Sequence, residues 1–373
     1  MNLNLITKAG ILLNAARVPY EDFKNLCEHF DIADILNTNS KIFEELGIKP
    51  SRIEKIKNVL LKNSWLEREI DNIYKANAKF ITALDNDYPQ KLFDLKNPPV
   101  GLYIKGSENL NLEMPSAAIV GTRKSSLYGQ NIASGIAKAL SSVGLNIISG
   151  GAKGIDAAAH RACLDIGGKT IAVFGTGINK IYPAEHKDLF ERICENGVVI
   201  SEYPTQSGGE AWRFPERNRI IAALSGRVVI IESSLTGGAM HTAQIAIDLN
   251  REIWSVPGKI TDDNSTGTNK LIQDGAKILC NIDDFVKGLA ELRGQINLNF
   301  EDFASIPEQN NAPDLSDDEK IIYNTLQKNS NITLDSLLEF TGLDLAVLQS
   351  GLLTLSAFGL VNNSGAGRYS AVI

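Results

Sequence analysis

Between Ala117 and Gly258 the chain carries six short, β-branched apolar runs: "AAIVG", "LNIIS", "TIAVFG", "GVVIS", "RVVIIE" and "EIWSVPG". Each is followed by a loop, and most of those loops lead into a helix-compatible stretch of ten or more residues. A strand with one wet face alternates apolar and polar residues, so a run that is apolar throughout must be covered on both faces. Strands of that kind alternating with helices predict an α/β fold, a Rossmann-like doubly wound parallel sheet. In such a sheet ligands sit outside the carboxyl ends of the strands, so the loops after these runs are the first place to look for function.

Five of these loops are informative. After "AAIV", a glycine turn at Gly121 presents Thr122, Arg123 and Lys124. After "LNIIS" comes "GGAKGID", in which Gly150, Gly151 and Gly154 surround Ala152 and Lys153. Glycines let the backbone pass close to a ligand, and the helix that follows aims free N–H groups and its positive end at the same spot, so this corner suits an anion. The other three are "TGINKIYP", "FPERNRIIAALS" and "SLTGGAMHTAQIA", the last with Thr236, Gly237 and Gly238. Their hydroxyls, amide donors and guanidinium groups suit phosphate oxygens, and five such loops side by side predict a groove. In "FPERNRIIAAL", Arg217 and Arg219 flank Asn218, while Ile220, Ile221 and Leu224 must face the core. Phe214 could stack on a base, since an aromatic platform with arginine holds single strands without sequence preference. The same stretch equally fits a helix staple with a structural ion pair to Glu202 or Glu232.

The net charge of −7 looks wrong for a nucleic-acid binder until it is divided along the chain. Residues 1–114 hold 15 Lys+Arg against 16 Asp+Glu, residues 115–287 hold 18 against 17, and residues 288–373 hold 4 against 11. All the surplus acid lies in the tail, which leaves room for a cationic groove in the middle. The expected organisation is a small helical domain over 1–80, resembling a SAM or helix-hairpin-helix module, then a core over 81–292. A linker over 293–314 rich in Asn, Pro and acid leads to a winged-helix domain over 315–373. In the last, Ser316 and Glu319 have the spacing of a capping box. The N-terminus lacks the pattern of a secretory signal and no apolar run reaches the roughly 18 residues of a membrane span, so the expected location is cytoplasmic. The four cysteines are far apart and form no CxxC pair, which predicts free thiols and no zinc site.

Nucleotide and catalytic fingerprints fail. "GTGINK" has Lys180 where GxGxxG needs its third glycine, and "GGKT" at Gly167 to Thr170 has Cys163 where a P-loop needs its first. Asp156 and His160 are four apart on one helix, but no exposed serine or cysteine nucleophile accompanies them. His186 and His241 are isolated, which argues against a metal cluster. No catalytic residue, metal or cofactor is expected.

The stretches "DYPQKL" with "PPVGLYIKG", "AIVGTRKSSLYG", "SGGAKGIDAAAHRACL", "GKTIAVFGTGINKIYP", "ISEYP", "FPERNRIIAALS", "TGGAMHTAQIA", "SVPG" and "GTNKLIQDGA" together resemble the bacterial DNA-processing protein A family (DprA, also called Smf). They fall in order over about residues 85 to 280. The resemblance implies a cytoplasmic single-stranded-DNA-binding protein that protects incoming DNA during natural transformation and loads the RecA recombinase onto it. It also implies a homodimer formed through the large domain, and no catalysis. By motif position, the strand would contact Gly121, Thr122, Arg123, the Gly150 to Gly154 loop, Phe214, Arg217 and Asn218. Two departures stand out: "GGEAWR" lacks the lysine relatives often place before the phenylalanine, leaving Arg213 to serve, and His241 replaces a more usual aliphatic residue. The rival on this fold is an enzyme, a nucleoside monophosphate N-glycosidase. Such enzymes need "PGGxGT" and a catalytic glutamate; "TGGAMHT" is only a loose echo, and Glu232 is the sole nearby candidate. The tail holds Lys320, Lys328 and Arg368 against six acids, whereas a DNA-reading winged helix normally shows a basic face, so mainly a protein-contact role, or at most weak binding of duplex, is expected there.

Overall fold

The structure, a computed structural model, describes residues 3–36, 40–45, 47–60, 64–108, 110–282, 285–286, 315–329, 331–357, 360–363 and 367–371. The chain divides into two compact units, Met1–Leu298 and Asn299–Ile373.

The first unit opens with helices α1 (Leu5–Ala15), α2 (Tyr20–His29), α3 (Ile32–Leu36), α4 (Ser40–Glu45), α5 (Pro50–Leu60) and α6 (Trp65–Lys75). Asn4 caps α1 by accepting from the Thr7 amide at 2.7 Å, and α5 starts on Pro50, whose fixed φ and missing N–H suit a first helical turn. Phe23, Leu26, Phe43 and Ile56 form a small core of their own. These helices belong to the same compact unit as the sheet and share a second cluster with it, in which Ile11 and Ile73 meet Tyr103, Phe174 and Phe190.

Nine strands follow: β1 (Ala78–Thr82), β2 (Gly101–Gly106), β3 (Ser116–Val120), β4 (Asn146–Ser149), β5 (Thr170–Phe174), β6 (Val198–Ser201), β7 (Arg227–Ile230), β8 (Glu252–Ser255) and β9 (Lys277–Ile278). They form one sheet in the order β1-β2-β6-β5-β4-β3-β7-β8-β9. From β6 to β9 all pairings are parallel, while β1 and β2 extend the β6 edge antiparallel. The crossovers are helices α7 (Leu127–Ser142), α8 (Ile155–Asp165), α9 (Lys187–Asn196), α10 (Arg213–Leu224) and α11 (Gly238–Asp248), with α12 (Thr266–Gln273) before β9. Burial shows why the runs are apolar throughout. Along β3, Ala117 and Ile119 pack with α7 and α8, whereas Ala118 and Val120 pack with α10 and α11.

All six expected strands are present and parallel. Three further strands, β1, β2 and β9, lie outside those six runs, and a 3-10 turn, Gln90–Asp94, falls between β1 and β2. The chain winds outward from β3 through β4, β5 and β6, then returns to place β7 on the other side of β3. Neighbouring β3 and β7 therefore send their connections in opposite directions, which opens a crevice beyond their carboxyl ends. No single helix among the described residues is long and apolar enough to cross a membrane.

The second unit has helices α13 (Asp317–Lys328), α14 (Leu334–Thr341) and α15 (Leu345–Ala357). Its small sheet runs β10-β12-β11, from β10 (Ile332–Thr333), β11 (Val361–Asn363) and β12 (Arg368–Ala371). Leu326, Leu337, Leu348, Leu352 and Leu355 form its core. The capping box is present: Ser316 Oγ accepts from the Glu319 amide at 3.3 Å, and Glu319 accepts from the Ser316 amide at 2.8 Å. β11 and β12 pair antiparallel. The expected linker, 293–314, lies outside the described residues.

Candidate nucleic-acid interface

A cleft of about 570 Å³ occupies the crevice between β3 and β7. Its floor comes from the turn after β3, where Gly121, Thr122, Arg123 and Lys124 line it. A side chain at Gly121 would collide with Ile155, its Cβ falling 2.6 Å from Cγ1, so only glycine lets the turn lie against α8. The Thr122 amide donates to the Glu232 carbonyl at 2.7 Å and fixes the turn to the end of β7. Arg123 and Lys124 are exposed and enter no ion pair among the described residues. The Arg123 guanidinium lies over the Phe214 ring, 5.2 Å from its centroid.

Opposite, α11 begins at Gly238 with Gly237 as a cap that has no side chain to offer its first amides. Gly237 and Gly238 line the cleft together with Ser233 and Ser234. The amino end of this helix therefore presents donors and a positive dipole to whatever occupies the crevice. Thr236 is exposed but does not line it.

The third wall is aromatic. Phe214 and Tyr182 are tilted against each other with centroids 5.1 Å apart, and both line the cleft. A Cβ at Gly175 would approach Phe214 to 2.8 Å, so the loop after β5 lies directly on the ring. Tyr182, 47% exposed, was not singled out from sequence; its signal was an aromatic next to Pro183 at the end of a strand-end loop.

The loop after β4 is built differently from expectation. The Gly150 and Ala152 amides, read as free donors for an anion, both donate to Asp156 Oδ2, at 3.1 and 3.3 Å. Gly151 is buried, and a Cβ on it would fall 2.6 Å from the Phe190 ring. Lys153 pairs with Glu185 at 2.6 Å. Gly154, at φ +77°, would place a Cβ 2.5 Å from the Thr122 carbonyl oxygen. Ala152 alone of these five residues lines the cleft. The corner is filled from within by a carboxylate, and it supports the neighbouring turn.

The arginines also sort into separate roles. Arg217 is 4% exposed and donates Nη1 to the Gly150 carbonyl at 2.8 Å and to the Val173 carbonyl, while Nε donates to Asn218 Oδ1 at 3.2 Å. Gly150 thus stands between two buried charges, its N–H donating to Asp156 and its C=O accepting from Arg217. Burial pulls the Arg217 guanidinium down to about 10, with Asp156 holding it up; burial likewise raises the Asp156 carboxyl against the pull of Arg217 and the loop amides. Asn218, bridging to the Gly238 carbonyl at 3.4 Å, remains on the cleft wall. Arg219, expected at the strand, lies outside the cleft and pairs with Glu202 at 2.5 Å, as the ion-pair reading of that stretch would have it. Arg213 is also outside it, with Glu210 at 3.1 Å and the Gly208 carbonyl at 2.8 Å.

Glu232 and His160, the two residues weighed for catalysis, are both buried. Glu232 is 4% exposed, accepts from the Ser126 amide at 2.9 Å and from its hydroxyl, and so caps the start of α7. His160 bonds elsewhere than to Asp156: its Nδ1 meets Thr170 Oγ1 at 2.6 Å in the interior, and burial lowers its pKa to about 3.

Comparison with known proteins agrees with this architecture. The model of the family described as DNA recombination-mediator protein A matches residues 79–290. Protein Smf of Synechocystis is 32% identical over 377 residues, covering 93% of this chain and 94% of that protein. DNA processing protein DprA of Streptococcus pneumoniae is 40% identical over 221 residues, 58% of this chain and 78% of that one. The solved structure of DNA processing protein A from Streptococcus pneumoniae superposes with a TM-score of 0.64 at 32% identity, over 77% of this chain and 98% of that one. A structure of the Helicobacter pylori protein, concerned with its single-stranded DNA binding mode, gives 0.53 at 32% identity, over 57% and 96%. With a glycine-turned cleft at the switch point of a parallel sheet and matches of this extent, the chain belongs to the DNA recombination-mediator protein A family.

Proposed function

We propose that this chain is a non-enzymatic mediator that binds single-stranded DNA in the β3/β7 cleft, protects incoming strands during natural transformation and loads RecA onto them as a cytoplasmic homodimer. The observation that carries the reading is the combination of two unpaired cations, Arg123 and Lys124, with the uncapped start of α11 and an aromatic pair, half-buried Phe214 and exposed Tyr182, in one open crevice. Amide and guanidinium donors position phosphates, while Phe214 and Tyr182 offer faces on which any base stacks. The Helicobacter pylori relative supports the choice of ligand. Arg217 lines the same cleft but has its guanidinium engaged by the Gly150 and Val173 carbonyls and Asn218, so it is proposed as a support, and contact with the strand is assigned to Arg123, Lys124, Phe214 and Asn218.

The second unit is proposed to be a winged helix that contacts protein. Its third helix, α15, has no charged side chain and exposes Leu345, Val347 and Leu353, which is a poor surface for phosphates.

The test is a titration of labelled oligothymidine at several salt concentrations. Arg123→Ala is expected to weaken binding about tenfold and to reduce the salt slope by about 0.7, the value for one phosphate contact on a single strand. Lys328→Ala is expected to change neither. Equal binding by Arg123→Ala and the parent, or binding insensitive to salt, would refute the assignment.

A further inference from the structure

Among the contacts that the helices before β1 make with the loops of the cleft is one buried carboxylate. Glu69 of α6 is 3% exposed and enters no ion pair among the described residues. Its Oε1 accepts from the Thr205 amide at 2.6 Å and its Oε2 from the Thr205 hydroxyl at 2.8 Å. The Tyr103 hydroxyl is buried beside it, its ionisation pushed up first by burial and then by the Glu69 carboxylate. A carboxylate without a cation in such a place is retained only where its lone pairs are used, and here both oxygens are given to one residue of another segment.

Thr205 is where two cleft loops are tied together. Its carbonyl accepts from the Asn179 amide at 3.1 Å, and the Ser207 carbonyl accepts from the Gly177 amide at 2.9 Å. Gly177 packs on the Pro204–Thr205 backbone with no room for a Cβ. One of these loops ends in Tyr182 and the other leads into Phe214. Gly209 lies between the two rings, a Cβ there falling 3.4 Å from Phe214 and 3.5 Å from Tyr182. α1 and the turn after it hold the same segment from its two ends: Asn14 donates to the Glu202 carbonyl at 2.7 Å, and Arg17 pairs with Glu216 and covers the Trp212 ring at 4.6 Å.

We infer that Glu69 is a positioning residue for the strand-binding cleft, bracing through Thr205 the two loops that set the Tyr182–Phe214 wall. The inference rests on the single-strand reading above and assigns the amino-terminal helices a part in base stacking without any contact to DNA.

The experiment uses the full chain as Glu69→Ala, Glu69→Gln and Thr205→Val. Glutamine keeps both bonds, with its amide donating to the hydroxyl oxygen, and serves as the conservative rescue. Each variant is titrated with oligothymidine and with an abasic oligodeoxyribose phosphate of equal length, and amide hydrogen exchange is followed over 175–182 and 202–213. Glu69→Ala and Thr205→Val are expected to bind oligothymidine about tenfold more weakly, the scale of one lost stacking contact. They are expected to bind the abasic strand as the parent does, to keep its salt slope and to exchange faster in both loops, with Glu69→Gln close to the parent. Unchanged oligothymidine binding with unchanged exchange would overturn the brace, as would an equal loss on both ligands. A parent protein that binds no oligothymidine overturns the single-strand reading itself, a result distinguishable because the exchange data still report whether Glu69 holds the loops.

Discussion

Replacing Arg217 by methionine separates a supporting arginine from a binding one. Methionine keeps most of the volume but removes donors to the Gly150 and Val173 carbonyls, each bond charge-assisted and worth about 1.5–3 kcal/mol. It also leaves the buried Asp156 carboxylate without the cation that offsets it across Gly150. The expected loss is therefore about 3–5 kcal/mol of unfolding free energy, the range for removing one partner of a buried charge pair. Urea denaturation followed by tryptophan fluorescence reads it cleanly, because Trp65, Trp212 and Trp254 all lie in the first unit. Two internal checks follow from the charge. Without Arg217 the Asp156 pKa, already raised, rises further; a raised acid favours the folded state below its unfolded pKa and loses that benefit as pH climbs through the folded one. The deficit of the variant should therefore shrink on acidification. In an Asp156→Asn background it should fall by about 1–2 kcal/mol, a coupling normal for interacting groups. Oligothymidine binding by the folded variant should keep the parent's salt slope. A variant stable to within about 1 kcal/mol whose salt slope drops by about 0.7 would show instead that Arg217 binds a phosphate, and would refute the reasoning.

Three other outcomes are expected. Gly129→Ala would set a Cβ 2.5 Å from the Glu232 carboxyl carbon and should cost about 1–3 kcal/mol by urea denaturation, with a smaller cost when Glu232 is also alanine. His160, its pKa lowered to about 3, favours the folded state fully above the unfolded value near 6.5 and loses that contribution as pH falls toward 3; His160→Gln should therefore flatten the acid limb, the difference from the parent reaching about 2 kcal/mol between pH 6.5 and 5. Deleting residues 310–373 should leave oligothymidine affinity and its salt slope unchanged, and a large loss in that titration would mean the second unit holds DNA.

The sheet was legible because burial on both faces forces an unbroken apolar run, a signal local to each strand. β9 was not, since its two residues, Lys277 and Ile278, are exposed and are a strand only by pairing with β8. The loops of the cleft were legible from their glycines, yet the roles of the arginines were not. Arg123 and Arg217 stand in equally suggestive motifs, and what buries Arg217 is carbonyls 67 and 44 residues away along the chain. Likewise nothing adjacent to "GGAKG" shows that Asp156 turns back to take its amides, or that Lys153 meets Glu185. Sequence motifs marked the right neighbourhood; contacts between distant segments decided which donors stay free.

The placing of Glu232 bears on what this scaffold can become. Its carboxylate holds the first turn of α7 and lies against Gly129, where no side chain fits. Turning this crevice into a hydrolase by recruiting that glutamate would take away the acceptor that holds Ser126 and leave a gap beside Gly129, so the first step toward catalysis would itself cost stability. Laboratory evolution toward catalysis on this framework should therefore draw its acid from another position.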